Sequence, residues 1–127
     1  MKKYINVPTE KKFPFSHAVQ AGDYVHLSGQ PSMDLNDGHF IDGNFESQFD
    51  QCFSNLMDVL EVGGMTLADV VKCTIFLIDM RDYAKMNDVY VKKFEGYELP
   101  ARSCFGVTGL PLGAKLEIEM IAYKPEK

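Results

Sequence analysis

Val70-Val71-Lys72-Cys73-Thr74-Ile75-Phe76-Leu77-Ile78 is apolar at both parities: Val71, Cys73, Ile75 and Leu77 fall on one side of an extended chain, Phe76 and Ile78 on the other beside Lys72 and Thr74. Side chains alternate faces along a strand, so this segment predicts a strand covered on both faces. Its neighbours on either side predict helices. Upstream, Phe45, Phe49, Cys52, Phe53, Leu56, Met57 and Leu60 recur at three- and four-residue spacing, after Asn44 as a candidate N-cap and before Gly63-Gly64 as a stop. Downstream, Tyr83, Met86, Val89, Tyr90 and Phe94 repeat that period between Asp79 and Tyr97.

Two strand-like segments flank this helix–strand–helix unit at each end. Asp23 to Gly29 sets Val25 and Leu27 against Tyr24, His26 and Ser28 after the turn Ala21-Gly22-Asp23, which predicts a hairpin with residues around Phe15 to Gln20. Pro31 to Gly43, rich in Asp, Asn and Gly, predicts an irregular surface excursion with a short extended piece at His39 to Ile41. Arg102 to Val107 and Leu116 to Tyr123 predict two more strands, joined by a loop with Gly109, Pro111 and Gly113. The sum is one α+β domain over residues 1–127. Two helices cover one face of such a sheet, yet the face bearing Ile121 and Tyr123 also reads as buried, so an oligomer assembled through that face is expected.

Composition narrows the function classes. Apolar residues make up 46% and charged residues 24% of the 127, the proportions of an ordinary globular protein. A formal net charge of −5 argues against an extended phosphate-binding surface. The one basic cluster, Lys2, Lys3, Lys11 and Lys12, reads as a solvated edge rather than a nucleic-acid arm. The opening Met-Lys-Lys-Tyr-Ile-Asn has no apolar run after its lysines, and eighteen apolar residues run together nowhere, so a cytoplasmic chain with no membrane partner is expected. Cys52, Cys73 and Cys104 are far apart with no C-x-x-C pattern, which predicts neither a zinc site nor a disulfide framework.

The chemistry-bearing residues concentrate in the last two strands. Arg102 stands in Pro100-Ala101-Arg102-Ser103-Cys104-Phe105, and Glu117 in Lys115-Leu116-Glu117-Ile118-Glu119-Met120. Arg102 and Cys104 share one face of their strand; Ser103, Phe105 and Val107 share the other. Leu116, Ile118 and Met120 make an apolar row opposite Glu117 and Glu119. With the apolar rows placed against the helices, Arg102, Cys104 and Glu117 are expected together on the subunit interface. Two readings stay open for the pair: an interface salt bridge, or a guanidinium that forks onto a substrate carboxylate beside a carboxylate that moves a proton. Cys104 reads as a small residue lining the pocket in preference to a nucleophile, because no histidine is placed to serve it as a base. His17 and His39 read as surface residues and His26 as a sheet-face residue, with no metal spacing to each other or to carboxylates. Ser28-Gly29-Gln30 ends a strand where glycine lets a ligand approach, and Asn87 reads as a polar helix-face residue.

At these residues the chain resembles the RidA/YjgF family of reactive intermediate deaminases. The resemblance rests on Pro100 to Phe105, Leu110-Pro111 and Lys115 to Glu119, supported by Pro14-Phe15-Ser16-His17-Ala18-Val19, Ser28-Gly29-Gln30 and Met86-Asn87-Asp88-Val89-Tyr90. It implies a chorismate-mutase-like (RidA-like) α+β fold, a mixed six-stranded sheet with two helices on one face, and a homotrimer with clefts between subunits. It further implies hydrolysis of enamines and imines such as 2-aminoacrylate to 2-keto acids and ammonia, without a cofactor or metal. Arg102 matches the family's carboxylate-binding arginine and Glu117 the glutamate that positions water. Cys104, Ser28 and Gly29 match pocket-lining positions, and Asn87 a helix position near the cleft. Where the family commonly has Gly-Pro-Tyr-Ser, this chain has Phe13-Pro14-Phe15-Ser16, so Phe15 removes a phenol from the cleft wall and bears on substrate preference. The alternative is a non-catalytic binder that senses keto acids in the same cleft; a ribonuclease sits poorly with the acidic balance.

Overall fold

Alternation in the last strand organises the molecule. Leu116, Ile118, Met120 and Ala122 are buried, while Glu117, Glu119, Ile121 and Tyr123 point the other way. The computed structural model of the chain describes residues 1–126. Its strands are β1 (Lys2–Ile5), β2 (Ala18–Ala21), β3 (Tyr24–Gln30), β4 (Val70–Leu77), β5 (Ala101–Gly106) and β6 (Leu116–Tyr123). Its helices are α1 (Phe45–Val62) and α2 (Tyr83–Lys93). The strands form one mixed sheet in the order β1-β2-β3-β6-β4-β5, antiparallel throughout except for the parallel pair β4–β5 that α2 connects. This is the six-stranded, two-helix architecture the resemblance implies.

Both helices lie on one face. α1 starts at Asn44, whose side chain accepts from the Ser47 N–H, and ends at Gly63; Gly64 then takes φ +76°, a turn glycine makes without strain. Its Phe49, Phe53, Leu56 and Leu60 interlock with Ile75, Ile118 and Met120 of the sheet and with Met86 and Phe94 near α2. Each such side chain contributes about 1.5–3 kcal/mol through burial. The opposite face has no helix over it and exposes Tyr4, Tyr24, Phe105 and Tyr123 around half-buried Phe76 and Ile121.

Several sequence expectations need correction. Lys2 and Lys3 lie on a solvated edge as expected, but that edge is β1, a full strand paired with β2 that the sequence did not reveal, because backbone pairing needs no apolar side chains at a sheet edge. The Pro31–Gly43 excursion is not wholly a surface loop: Ser32, Met33 and Leu35 are buried, and Met33 bridges Phe40 as a two-residue extended piece. In β4 it is Val70 rather than Val71 that is buried, since a register shift between Val70 and Lys72 turns Val71 outward. α2 begins only at Tyr83, after a 3₁₀ turn at Met80–Asp82 capped by Asp79.

Candidate functional site

Glu117 occupies the helix-free face of β6, opposite Phe76 of β4. Across β3 the ladder slips between Leu27 and Gln30, and this bulge presents Ser28 and Gly29 to the Glu117 side chain. The carboxylate sits so close to the Gly29 Cα that any Cβ there would collide with Oε2. Ser28 is tied to the preceding segment twice: its N–H donates to the His17 carbonyl at 2.9 Å and its hydroxyl to the Ser16 carbonyl at 2.7 Å. Phe15 stands just upstream of that seam. Phe15, Ser28, Gly29 and Glu117 thus line one cleft of about 510 Å³, together with Phe13, which stands where the family commonly has glycine, and with Met33 and Leu112, which the sequence reading did not single out. Only the turn at Leu110-Pro111, quoted for the resemblance, hinted at the last of these.

Burial pushes the Glu117 carboxyl above its ordinary value, and the neighbouring Glu119 pushes in the same direction. Arg102 of the same chain does not oppose this, because it lies elsewhere. In the parallel ladder Arg102 pairs with Cys73 and Cys104 with Ile75, both buried on the helix side, so Arg102 and Cys104 face α2 while Ser103 and Phe105 share the open face with Thr74 and Phe76. The expectation that Arg102, Cys104 and Glu117 share a face is therefore overturned for the first two. Phe105 goes to the open face because it stacks on Phe76 at 6.3 Å, and Ser103 accepts from the Lys72 ammonium at 3.0 Å.

Arg102 lies over two rings of α2, 4.9 Å from the Tyr90 centroid and 5.7 Å from that of Tyr83. It donates to the Tyr83 hydroxyl at 3.2 Å and to the Met86 sulfur at 3.5 Å. No ion pair among the described residues involves Arg102 or Glu117, so the two do not pair within one chain. Asn87 is half-buried on the same helix. Burial raises the Cys104 thiol, with Arg102 opposing, which disfavours a thiolate nucleophile and suits a packed wall residue.

The histidines divide. His26 is exposed on the sheet face as expected. His17 is buried, not superficial: its Nδ1 accepts from the Val7 N–H at 3.0 Å and its own N–H donates to Asn6 Oδ1 at 2.9 Å. His39 is exposed but shares with Asp34 and Asp37 a surface cluster whose ligand-type atoms lie within 4.8 Å of one another, a grouping the spacing did not suggest. Among the described residues no helix is long and apolar enough to cross a membrane.

The family model described as Endoribonuclease L-PSP matches residues 8–124, nearly the whole chain. The chain belongs to the RidA/YjgF family. Among its relatives in that family, a RutC family protein of Pyrococcus horikoshii is 41% identical over 111 residues, 87% of each chain. The 2-iminobutanoate/2-iminopropanoate deaminase of Mus musculus is 38% identical over 111 residues, covering 87% of this chain and 82% of the mouse protein. E. coli TdcF, solved with bound serine, superposes with a TM-score of 0.87 at 30% identity, over 96% of this chain and 98% of that one.

Proposed function

We propose that this RidA/YjgF protein hydrolyses 2-imino acids, and the enamines that tautomerise to them, to 2-keto acids and ammonia. The observation that carries the reading is the half-buried Glu117 carboxylate, wedged against Gly29 in an open cleft with its proton affinity raised. A carboxylate fixed at the wall of an open cleft is placed to take a proton from water. Water adds to the imine carbon as Glu117 accepts one proton and returns it to nitrogen; the carbinolamine hydroxyl then gives its proton, by way of Glu117, to the same nitrogen, the C–N bond breaks, and the carbonyl forms as ammonia leaves. One water is consumed and one ammonia released, with no redox change. Deaminase-named relatives at 38–41% identity support this activity.

The carboxylate of the substrate needs a cation, and Arg102 is free of carboxylate partners among the described residues. It lies on the other sheet face from Glu117 in the same chain, so the reading joins Glu117 of one subunit with Arg102 of a neighbouring copy, in clefts of a homotrimer. Tyr83 and Tyr90 hold that guanidinium in place. The bound serine in TdcF, a small carboxylate-bearing molecule, is consistent with such a site. A ribonuclease reading fits less well, because the cleft lining includes Glu117 and Glu119 against Lys11.

The deciding measurement generates 2-iminopropanoate and 2-iminobutanoate with an amino-acid oxidase and follows their decay. Acceleration by the protein, lost in Arg102→Ala, is expected; decay at the uncatalysed rate removes the reading. Ligand-dependent melting without turnover would instead favour the keto-acid binder.

A further inference from the structure

The cleft beside Glu117 measures about 510 Å³ in the single chain, and its lining is lopsided. Glu117, Glu119, Lys11 and Ser28 supply its polar side chains. Phe13, Phe15, Met33, Pro111 and Leu112 line the rest with apolar ones. The aromatic part of this wall is anchored. Phe13 and Phe15 lie 5.4 Å apart, and each packs against buried His17, at 5.6 and 6.3 Å. His17 is in turn held by the hydrogen bonds with Val7 and Asn6.

Leu112 adds a separate observation. At φ +64° it is the one residue besides glycine, among those described, with a left-handed backbone. An L side chain resists that conformation, and Leu112 is 49% exposed, so core packing does not hold it there. A glycine would sit in this turn without strain. The large side chain is instead kept on the rim of the cleft.

We infer that Phe13, Phe15, Met33 and Leu112 form an apolar wall that reads the substrate's side chain, so the cleft favours 2-imino acids with branched or aromatic side chains over those with methyl or ethyl. The inference rests on the deaminase reading and names its substrate class. A wall without hydrogen-bonding side chains gains from each buried methylene, and such contacts discriminate about 10- to 200-fold.

The test compares kcat/KM for imines bearing methyl, ethyl, isobutyl and benzyl side chains, and the melting shifts produced by the four corresponding 2-keto acids. Isobutyl or benzyl should exceed methyl by roughly 10-fold or more in kcat/KM. Leu112→Gly relieves the backbone strain, so it folds at least as well; it should lower the benzyl-to-methyl ratio by about 10-fold. Turnover that favours the methyl substrate overturns the inference and leaves the deaminase reading standing. Absence of turnover, with melting shifts that still favour the larger keto acids, overturns the deaminase reading and upholds the wall. Loss of oligomeric mass in Leu112→Gly without a change in the ratio assigns Leu112 to a subunit contact and overturns its role here.

Discussion

The carboxylate of Glu117 fills the space where a Cβ on residue 29 would stand. Because the displaced atoms are the end of a flexible side chain, Gly29→Ala should cost little stability, about 1 kcal/mol or less. It should nonetheless lower kcat/KM about 100-fold, since a catalytic group moved by an ångström loses its alignment. Urea denaturation beside steady-state kinetics separates the two effects. An equal loss of both would mean that Gly29 serves folding alone.

Arg102 and Glu117 face opposite sides of one sheet, which leads to a complementation experiment. Arg102→Ala and Glu117→Gln should each be inactive as pure proteins. Subunits mixed by co-expression should recover about a quarter of wild-type activity, because in a cyclic oligomer some clefts receive both intact residues. Mixtures as dead as their parents would show that one chain supplies both groups.

Two buried titrations move stability in opposite directions. The Glu117 carboxyl is raised above its ordinary 4.5, so the folded chain holds that proton longer than the unfolded one, and stability falls as pH rises from 4.5 through the folded value. Burial lowers His17 below its ordinary 6.5, so the unfolded chain binds its proton first, and stability is lost as pH falls below 6.5. Glu117→Gln should flatten the first slope and His17→Gln the second, in denaturation midpoints followed from pH 4 to 8.

Phe76 and Phe105 stack on the uncovered sheet face. Phe76→Asp should place a charge at the proposed subunit contact and drop the mass seen by light scattering from trimer to monomer. Since Phe76 is outside the helix-side core, most of the far-ultraviolet circular dichroism should persist. An unchanged mass would move the interface elsewhere.

Much of the fold was legible because its signals are local. The Asn44 cap, the Gly63-Gly64 stop, the apolar row of α1 and the alternation of β6 each depend on residues a few positions apart. β1 escaped notice because Lys2-Lys3-Tyr4-Ile5 shows no buried face, and it is held by backbone bonds to β2. The bulges at Ser28-Gly29 and at Val71 were equally hidden, since a register shift is a property of two strands.

The candidate site shows the same division. Alternation within the chain established that Arg102 and Cys104 share a face, and that Glu117 opposes Ile118, because those relations are intrinsic to an extended backbone. Which face of the sheet each set occupies was decided only by tertiary structure. The parallel register of β5 on β4 sends Arg102 towards the rings of Tyr83 and Tyr90, while antiparallel β6 sends Glu117 the other way. Phe105 has the hydrophobicity of a core residue and Arg102 the charge of a surface one, yet a partner ring for the first and a stacking platform for the second reversed both assignments. The sequence by itself marked Arg102 and Glu117 as the candidates; the pairing of distant strands separated them, because the sign of a face is set by the neighbour a strand binds.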